Sequence, residues 1–210
     1  MHLLVTAGPT REYFDSVRFV SNASSGKMGY AIAAEAARRG HQVVLVSGPV
    51  DLPSPQHVHT VRVTSAAEML EEAVERFSAC DAAVMAAAVC DERPVQCGHL
   101  KSPKPAAPRS IEFAPTEDIC ARLGRIKGRR VLIGFALEDQ DGPGRAEAKL
   151  ERKHCDAIVL NHPDTAGADE ASVQFFRPGI GWSNPLSGPK PMVAEAIVDL
   201  LETIRGAAQA

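Results

Sequence analysis

The chain lacks the features that would place it in several large classes of protein. No apolar run approaches the ~20 residues that a membrane span needs. The start, Met1-His2-Leu3-Leu4-Val5-Thr6, goes straight into a strand-like pattern. No basic segment followed by an apolar one precedes it, so no secretion signal is expected. Cys80, Cys90, Cys97, Cys120 and Cys155 are odd in number and show no Cys-x-x-Cys spacing. They read as reduced thiols of a cytoplasmic protein, not as a disulfide or zinc framework. A large charge of one sign is also missing. A formal net charge of −3 gives no electrostatic argument for a nucleic-acid partner, so any phosphate binding must come from local groups. The Walker spacing is absent. So is the full Gly-x-Gly-x-x-Gly, because Gly26 and Gly29 keep only its second half.

What is present suits a globular α/β domain. The 210 residues are 45% hydrophobic and 23% charged, enough for one domain spanning 1–210 with an ample core. Strand and helix patterns alternate. Leu3–Val5, Gln42–Ser47, His59–Thr64, Asp81–Val89, Ile111–Phe113, Val131–Ala136 and Asp156–Asn161 read as strands. Helices are expected over Tyr30–Arg39, Ala66–Ala79, Pro115–Leu123, Gly144–Lys153 and Lys190–Arg205. Ser172–Phe176 and the Gly/Pro/Trp segment after it suggest a late β-hairpin. This alternation predicts a doubly wound, mainly parallel sheet flanked by helices, Rossmann-like in class. In such sheets ligands bind beyond the C-terminal strand ends, near the topological switch point.

The stretch Thr6–Gly29, TAGPTREYFDSVRFVSNASSGKMG, is a strand-to-helix connection far longer than the usual ~2–6 residues. Ser21, Asn22, Ser24 and Ser25 supply short donors and acceptors, and Gly26 and Gly29 let backbone approach a ligand. A helix starting near Ser24 or Ser25 would point free N–H groups at the loop. Arg11, Arg18 and Lys27 add cations. The composition is that of a phosphate cradle. A capped helix start after a polar loop accounts for the serines alone.

Two segments, Thr6–Arg11 as T-A-G-P-T-R and Asp15–Gly29 as D-S-V-R-F-V-S-N-A-S-S-G-K-M-G, closely resemble the signature of phosphopantothenoylcysteine synthetases. These form the ligase half of the bacterial bifunctional coenzyme A enzyme. Ala86–Pro94 resembles the family's A-A-A-V-[AS]-D-[YF]-x-P, with Cys90 and Glu92 departing from it. On the residues alone, Asp91 is either a solvated turn carboxylate or a holder of a ribose hydroxyl or phosphate-bound Mg²⁺. His99-Leu100-Lys101-Ser102 lies where the family has K-I-K-[KS], so Lys101 falls on a triphosphate-contacting lysine and His99 replaces the other. Pro115–Ile119 matches P-[TN]-x-D-I, a helix cap. Gly134–Glu138 resembles G-F-A-[AL]-E, which makes Phe135 either a cytosine-packing ring or a core residue. Lys149, Arg152 and Lys153 resemble a basic family run, and Asn161 its N in I-V-A-N-D.

The resemblance implies ligation of 4'-phosphopantothenate with L-cysteine, driven by CTP through an acyl-cytidylate, with Mg²⁺. It implies catalytic Asn22, Arg18 and Lys101, with Arg18 and Asn22 also on the substrate. Nucleotide contacts fall on Gly8, Ser24, Ser25, Gly26, Ala87, Ala88, Asp91, Lys101 and Phe135, with Asp91 toward the metal. It also implies a homodimer; no flavin-binding decarboxylase domain is present, so the chain is expected to be either a stand-alone synthetase with a separate flavin-dependent decarboxylase as partner, or one half of a larger protein. Two rivals remain. A nicotinamide-dependent oxidoreductase would want an acidic residue ending the second strand, where Ser47-Gly48-Pro49 stands. A non-catalytic nucleotide-binding subunit stays open through His99 and Glu92.

Overall fold

The computed structural model describes residues 1–95, 110–161 and 168–207. The chain runs β1 (His2–Ala7), β2 (Arg11–Tyr13), β3 (Phe19–Ser21), α1 (Lys27–Arg38), β4 (Gln42–Ser47), β5 (Val58–Arg62), α2 (Ala66–Phe77) and β6 (Ala82–Met85). It continues through β7 (Glu92–Pro94), β8 (Phe113–Pro115), α3 (Ile119–Ile126), β9 (Val131–Leu137), α4 (Gly142–Lys153) and β10 (Ala157–Asn161). It ends with β11 (Glu170–Arg177), β12 (Gly181–Trp182), β13 (Leu186–Pro189) and α5 (Lys190–Ala207).

The parallel strands lie in the order β10-β9-β6-β1-β4-β5. The chain starts in the middle at β1, steps outward to β4 and β5, then crosses back to β6 and builds outward through β9 and β10. The direction of building therefore reverses between β1 and β6, which makes the crevice above their C-terminal ends the switch point. Antiparallel β11 closes the edge beside β10, with β12 and β13 both paired to β11. The expected late hairpin is thus present, with a second short strand returning along β11.

The apolar runs become central strands because both faces are covered. Leu3, Val5 and Ala7 of β1 pack with Ile32, Ala36, Val193 and Ile197 from α1 and α5. Leu4 points the other way, to the layer of Met69, Phe77, Leu123 and Leu150 from α2, α3 and α4. Helix starts follow local caps. Ser65 Oγ accepts from Glu68 N–H, and Glu68 reaches back to Thr64 N–H at 2.7 Å. Asp118 Oδ1 accepts from Ala121 N–H at 2.9 Å and starts α3.

Several boundaries differ from the sequence expectation. The strand expected over Asp81–Val89 stops at Met85; residues 86–89 leave the sheet, and Ala88 bridges to Pro9 instead. The strand expected over Ile111–Phe113 is Phe113–Pro115, paired antiparallel with β7. The helix expected from Pro115 starts at Ile119, because Asp118 is the cap. Helix α1 does not start at Ser24 or Ser25. Gly26 precedes it in the left-handed region at φ 73°, which ordinary side chains disfavour, so neither serine is the cap.

Candidate functional site

The long connection after β1 is a built structure. Residues 11–21 form a two-stranded hairpin, β2 with β3. Its turn is organised by Asp15, whose carboxylate is fully buried and accepts from Val17 N–H, Arg18 N–H and Arg18 Nε at 2.8–2.9 Å. Buried Glu12 accepts from Ala66 N–H at 2.7 Å, so the hairpin also supports the start of α2. Arg11 N–H donates to Thr64 O and fixes the hairpin base.

From the hairpin the chain descends to Asn22. Its side-chain Nδ2 donates to Ala88 O at 3.2 Å and Val89 O at 2.9 Å. Two carbonyl acceptors fix which end of the amide is nitrogen. The loop after β1 is thereby pinned to the loop after β6, across the switch point. Thr10 adds to this seam: its Oγ1 accepts from Cys90 N–H at 3.0 Å, and its N–H faces Ala88 O. Below it, Gly26 meets Gly8. A Cβ at Gly26 would lie 2.8 Å from Val50 Cγ1 and 3.3 Å from Gly8 Cα, so only glycine lets these turns touch.

Above the seam lies a cleft of about 600 Å³. One wall is Asn22–Gly29 with the N-terminal end of α1; another is Met85–Val89 and Asp91. The far side is Thr116–Cys120 and Gly134–Leu137. A helix N-terminus, consecutive small residues and backbone N–H groups suit an anion.

The structure brings Asn22, Ser24, Ser25, Gly26, Ala87, Ala88, Asp91 and Phe135 together on this cleft. Phe135 is half-buried, packed against the core on one part and lining the cleft with another. Gly8 stands behind Gly26 as its support and is not among the lining residues. Arg18 does not line the cleft either. Its guanidinium pairs with Asp15 at 2.6 Å and lies over the Phe14 ring. Arg11 sits over Phe19, 4.6 Å from the ring centroid, so neither arginine of the loop points a free fork at the cradle. Lys101, with His99 and His162, lies outside the described residues.

The cations that line the cleft among the described residues are lysines, one at the start of α1 and three from later in the chain. Lys27, Lys149, Lys153 and Lys190 all line it. Lys27 pairs with Asp169 at 2.6 Å and Lys153 with Asp118 at 2.8 Å. The Lys27 ammonium holds the Asp169 carboxyl below its ordinary range. Burial, and then the like charge of Lys153, push the Lys149 ammonium pKa down. Burial and the charge of Lys27 do the same to Lys190, whose Nζ donates to Ala168 O. Lysines that must be desolvated beside one another favour an anionic occupant. Lys190 escaped the sequence reading as the first residue of an amphipathic helix. The available signal was its place: a cation in a first helical turn opposes the helix dipole.

Among the described residues no cluster of three or more His, Cys, Asp or Glu side chains could hold a metal, and no helix is long and apolar enough to cross a membrane.

The chain is similar to known proteins along nearly its whole length. Residues 1–204 match the family described as DNA/pantothenate metabolism flavoprotein C-terminal domain. A protein named cysteine/cysteine sulfinic acid decarboxylase, from an unknown prokaryotic organism, is 48% identical over 168 residues, 79% of this chain and 47% of that protein. The coenzyme A biosynthesis bifunctional protein CoaBC of Haemophilus influenzae is 38% identical over 206 residues, 95% of this chain and 49% of that protein. The chain thus spans about half the length of these curated relatives. A crystal structure of the C-terminal domain of a CoaBC protein superposes with a TM-score of 0.82 at 40% identity, covering 97% of this chain and 94% of that one. With the Rossmann-like sheet, the cleft at its switch point and this match over residues 1–204, the chain belongs to the DNA/pantothenate metabolism flavoprotein C-terminal domain family.

Proposed function

We propose that this domain acts in coenzyme A biosynthesis, joining 4'-phosphopantothenate to L-cysteine at the expense of CTP. The observation that carries the reading is the cleft itself: Asn22 tied across the switch point, the α1 N-terminus beside Ser24–Gly26, and desolvated lysines, in one cavity large enough for a nucleotide. The relatives named for coenzyme A biosynthesis support it, as does the synthetase signature. The name of the 48% identical relative describes a protein of which this chain matches one half.

The chemistry has two steps. A carboxylate oxygen of phosphopantothenate attacks the α-phosphorus of CTP; the bond to the β-phosphate oxygen breaks, and pyrophosphate leaves. The cysteine amine then attacks the acyl carbon of the acyl-cytidylate, and CMP departs with the bonding pair. Both steps concentrate negative charge on phosphate oxygens. N–H groups at the start of α1, with Lys149, Lys153 and Lys190, are placed to meet that charge. Asn22, anchored through Nδ2, turns its carbonyl end and the Ala88–Val89 backbone into one rigid edge against which the reacting acyl-phosphate is oriented. Phe135 offers a flat apolar surface to the base. Lys101 is the further triphosphate contact in this reading.

Mg²⁺ fits the donor set in a limited way. Asp91 is an exposed carboxylate on the cleft, and Mg²⁺ is commonly held by one or two carboxylates together with substrate phosphates. Asp91 would hold it, and its contribution would be neutralising phosphate charge. Flavin belongs to the separate decarboxylase function, not to this cleft.

The active form is a homodimer in this reading. Val17, Phe19 and Val20 on the hairpin and Val95, Ile111 and Phe113 around the β7–β8 ribbon are exposed apolar side chains on two neighbouring elements, since β2 packs beside β7. Arg18, on the hairpin and outside its own cleft, would then serve substrate across the dimer. The cellular place expected is the cytoplasm. The test is pyrophosphate release by the purified chain with phosphopantothenate, cysteine and Mg²⁺, comparing CTP with ATP.

A further inference from the structure

The wall of the cleft contains two thiols that the ligation does not use. Cys120 is the second residue of α3, two positions after the Asp118 cap. Cys155 follows the C-terminal end of α4, where His154 turns the chain at φ 54° and Cys155 N–H donates to Leu150 O at 3.0 Å. The chain separates them by 35 residues, yet their sulfurs are 3.5 Å apart. Both line the cleft, beside Lys149 and Lys153. The Cys155 sulfur sits over Gly134 of β9, where an added Cβ would lie only 3.0 Å away, so the backbone leaves a seat for that sulfur.

The two thiols are unlike. The hydrogen bond from Cys155, then the charges of Lys153 and Lys149, hold the Cys120 pKa below its ordinary value against the opposing effects of burial and of the Asp118 carboxylate. The same hydrogen bond, together with burial, pushes Cys155 up. One sulfur is therefore disposed to be the nucleophile and the other to keep its proton, the division of labour of reactive thiol pairs.

We propose that Cys120 and Cys155 form a redox-active dithiol that a hydroperoxide closes to a disulfide, and that closure impairs nucleotide turnover in the adjoining cleft. The Cys120 thiolate attacks the terminal oxygen of the hydroperoxide. An S–O bond forms, the O–O bond breaks, and the alkoxide or hydroxide leaves and takes up a proton. Cys155 sulfur then attacks the sulfenic sulfur; the S–S bond forms, the S–O bond breaks, and hydroxide departs with the Cys155 proton as water. Two thiols are oxidised and one peroxide is reduced to an alcohol and water, or to two waters. Closing from 3.5 Å to the ~2.05 Å of a disulfide draws the start of α3 toward the α4–β10 turn. The Asp118–Lys153 pair spans those two elements on the cleft wall and moves with them. The effect on turnover rests on the ligase reading; the disulfide does not.

The test is peptide mapping of the reduced full chain after graded hydrogen peroxide, without reductant. The expected product is a Cys120–Cys155 linked peptide, lost again with dithiothreitol and absent from both Cys120→Ser and Cys155→Ser. CTP-dependent pyrophosphate release should fall at least fivefold in step with it and recover on reduction. Both thiols still open to alkylation, or either linked elsewhere, would overturn the proposal. So would a linked pair with unchanged turnover. If the untreated chain releases no pyrophosphate, the ligase reading fails instead; calorimetric CTP binding before and after oxidation then replaces turnover, with weakening expected and unchanged affinity overturning the switch.

Discussion

Asn22 is the residue on which the site depends most. Its amide nitrogen joins two carbonyls of the loop after β6, and those carbonyls belong to Ala88 and Val89 of the cleft wall. With each hydrogen bond contributing ~1 kcal/mol, Asn22→Ala removes about 2 kcal/mol of orientation, roughly 30-fold in turnover. The expected result is that loss in kcat, together with a loss of stability to urea of no more than the same ~2 kcal/mol, since the two hydrogen bonds lie at an exposed position. A second residue-scale prediction concerns Gly29. A Cβ there would meet Ala7 Cβ at 2.5 Å and Thr6 O at 3.0 Å, both on the rigid central strand. Gly29→Ala must push α1 off β1 and should cost about 1–3 kcal/mol, read as a lower urea midpoint. The residues of the cradle were legible because short polar and glycine residues followed a strand in a recognisable signature. The fate of Arg18 was not legible. Its partner Asp15 is buried only because the hairpin folds over it, and nothing in a local pattern marks a carboxylate for burial.

At the scale of elements, α1 and α5 are joined by charge as well as packing. Glu35 accepts from Arg38 and Arg39, and Arg39 reaches on to Asp199 and Glu202 of α5. The Arg38 hydrogen bond first, and then Arg39, bring the Glu35 carboxyl down to about 2. Its pKa is depressed on folding, so the stability it contributes is present above the unfolded value of about 4.5 and is lost as pH falls toward 2. Urea midpoints followed between pH 5 and pH 2 should fall through that window, and Glu35→Gln should flatten this part of the profile while lowering stability at neutral pH. A Glu35→Gln profile parallel to that of the parent protein would contradict the assignment. The core elements were readable from apolar runs and helical spacing, and their ends moved by a few residues where caps intervened. The β2–β3 hairpin escaped notice because three-residue strands give alternation too little length to register. The loop between β1 and α1 reads as polar connection until Glu12 and Asp15 are seen to be buried.

For the whole molecule, the order β10-β9-β6-β1-β4-β5 puts the crevice between β1 and β6, and the two densest stretches of synthetase-like sequence meet there. That convergence was foreseeable, because strand–helix alternation fixes where ligands go in such sheets. The lysines from α4 and α5 were harder to place, since they arrive from far along the chain. The exposed apolar residues of the hairpin and the β7–β8 ribbon lead to a prediction at this scale. Sedimentation should give twice the chain mass, and Val17→Asp with Phe19→Asp should shift the protein to a monomer with lower turnover. A chain that is monomeric at working concentration and fully active would remove the dimer from the account.

The measurement that bears most directly on the central claim is pyrophosphate release with phosphopantothenate, cysteine and Mg²⁺. Release that needs both CTP and phosphopantothenate, and that falls in Asn22→Ala, is the predicted result. Release with ATP but not CTP would contradict the choice of nucleotide. No release with either, while CTP still binds in calorimetry, would contradict the ligase reading and leave a nucleotide-binding subunit on the same scaffold.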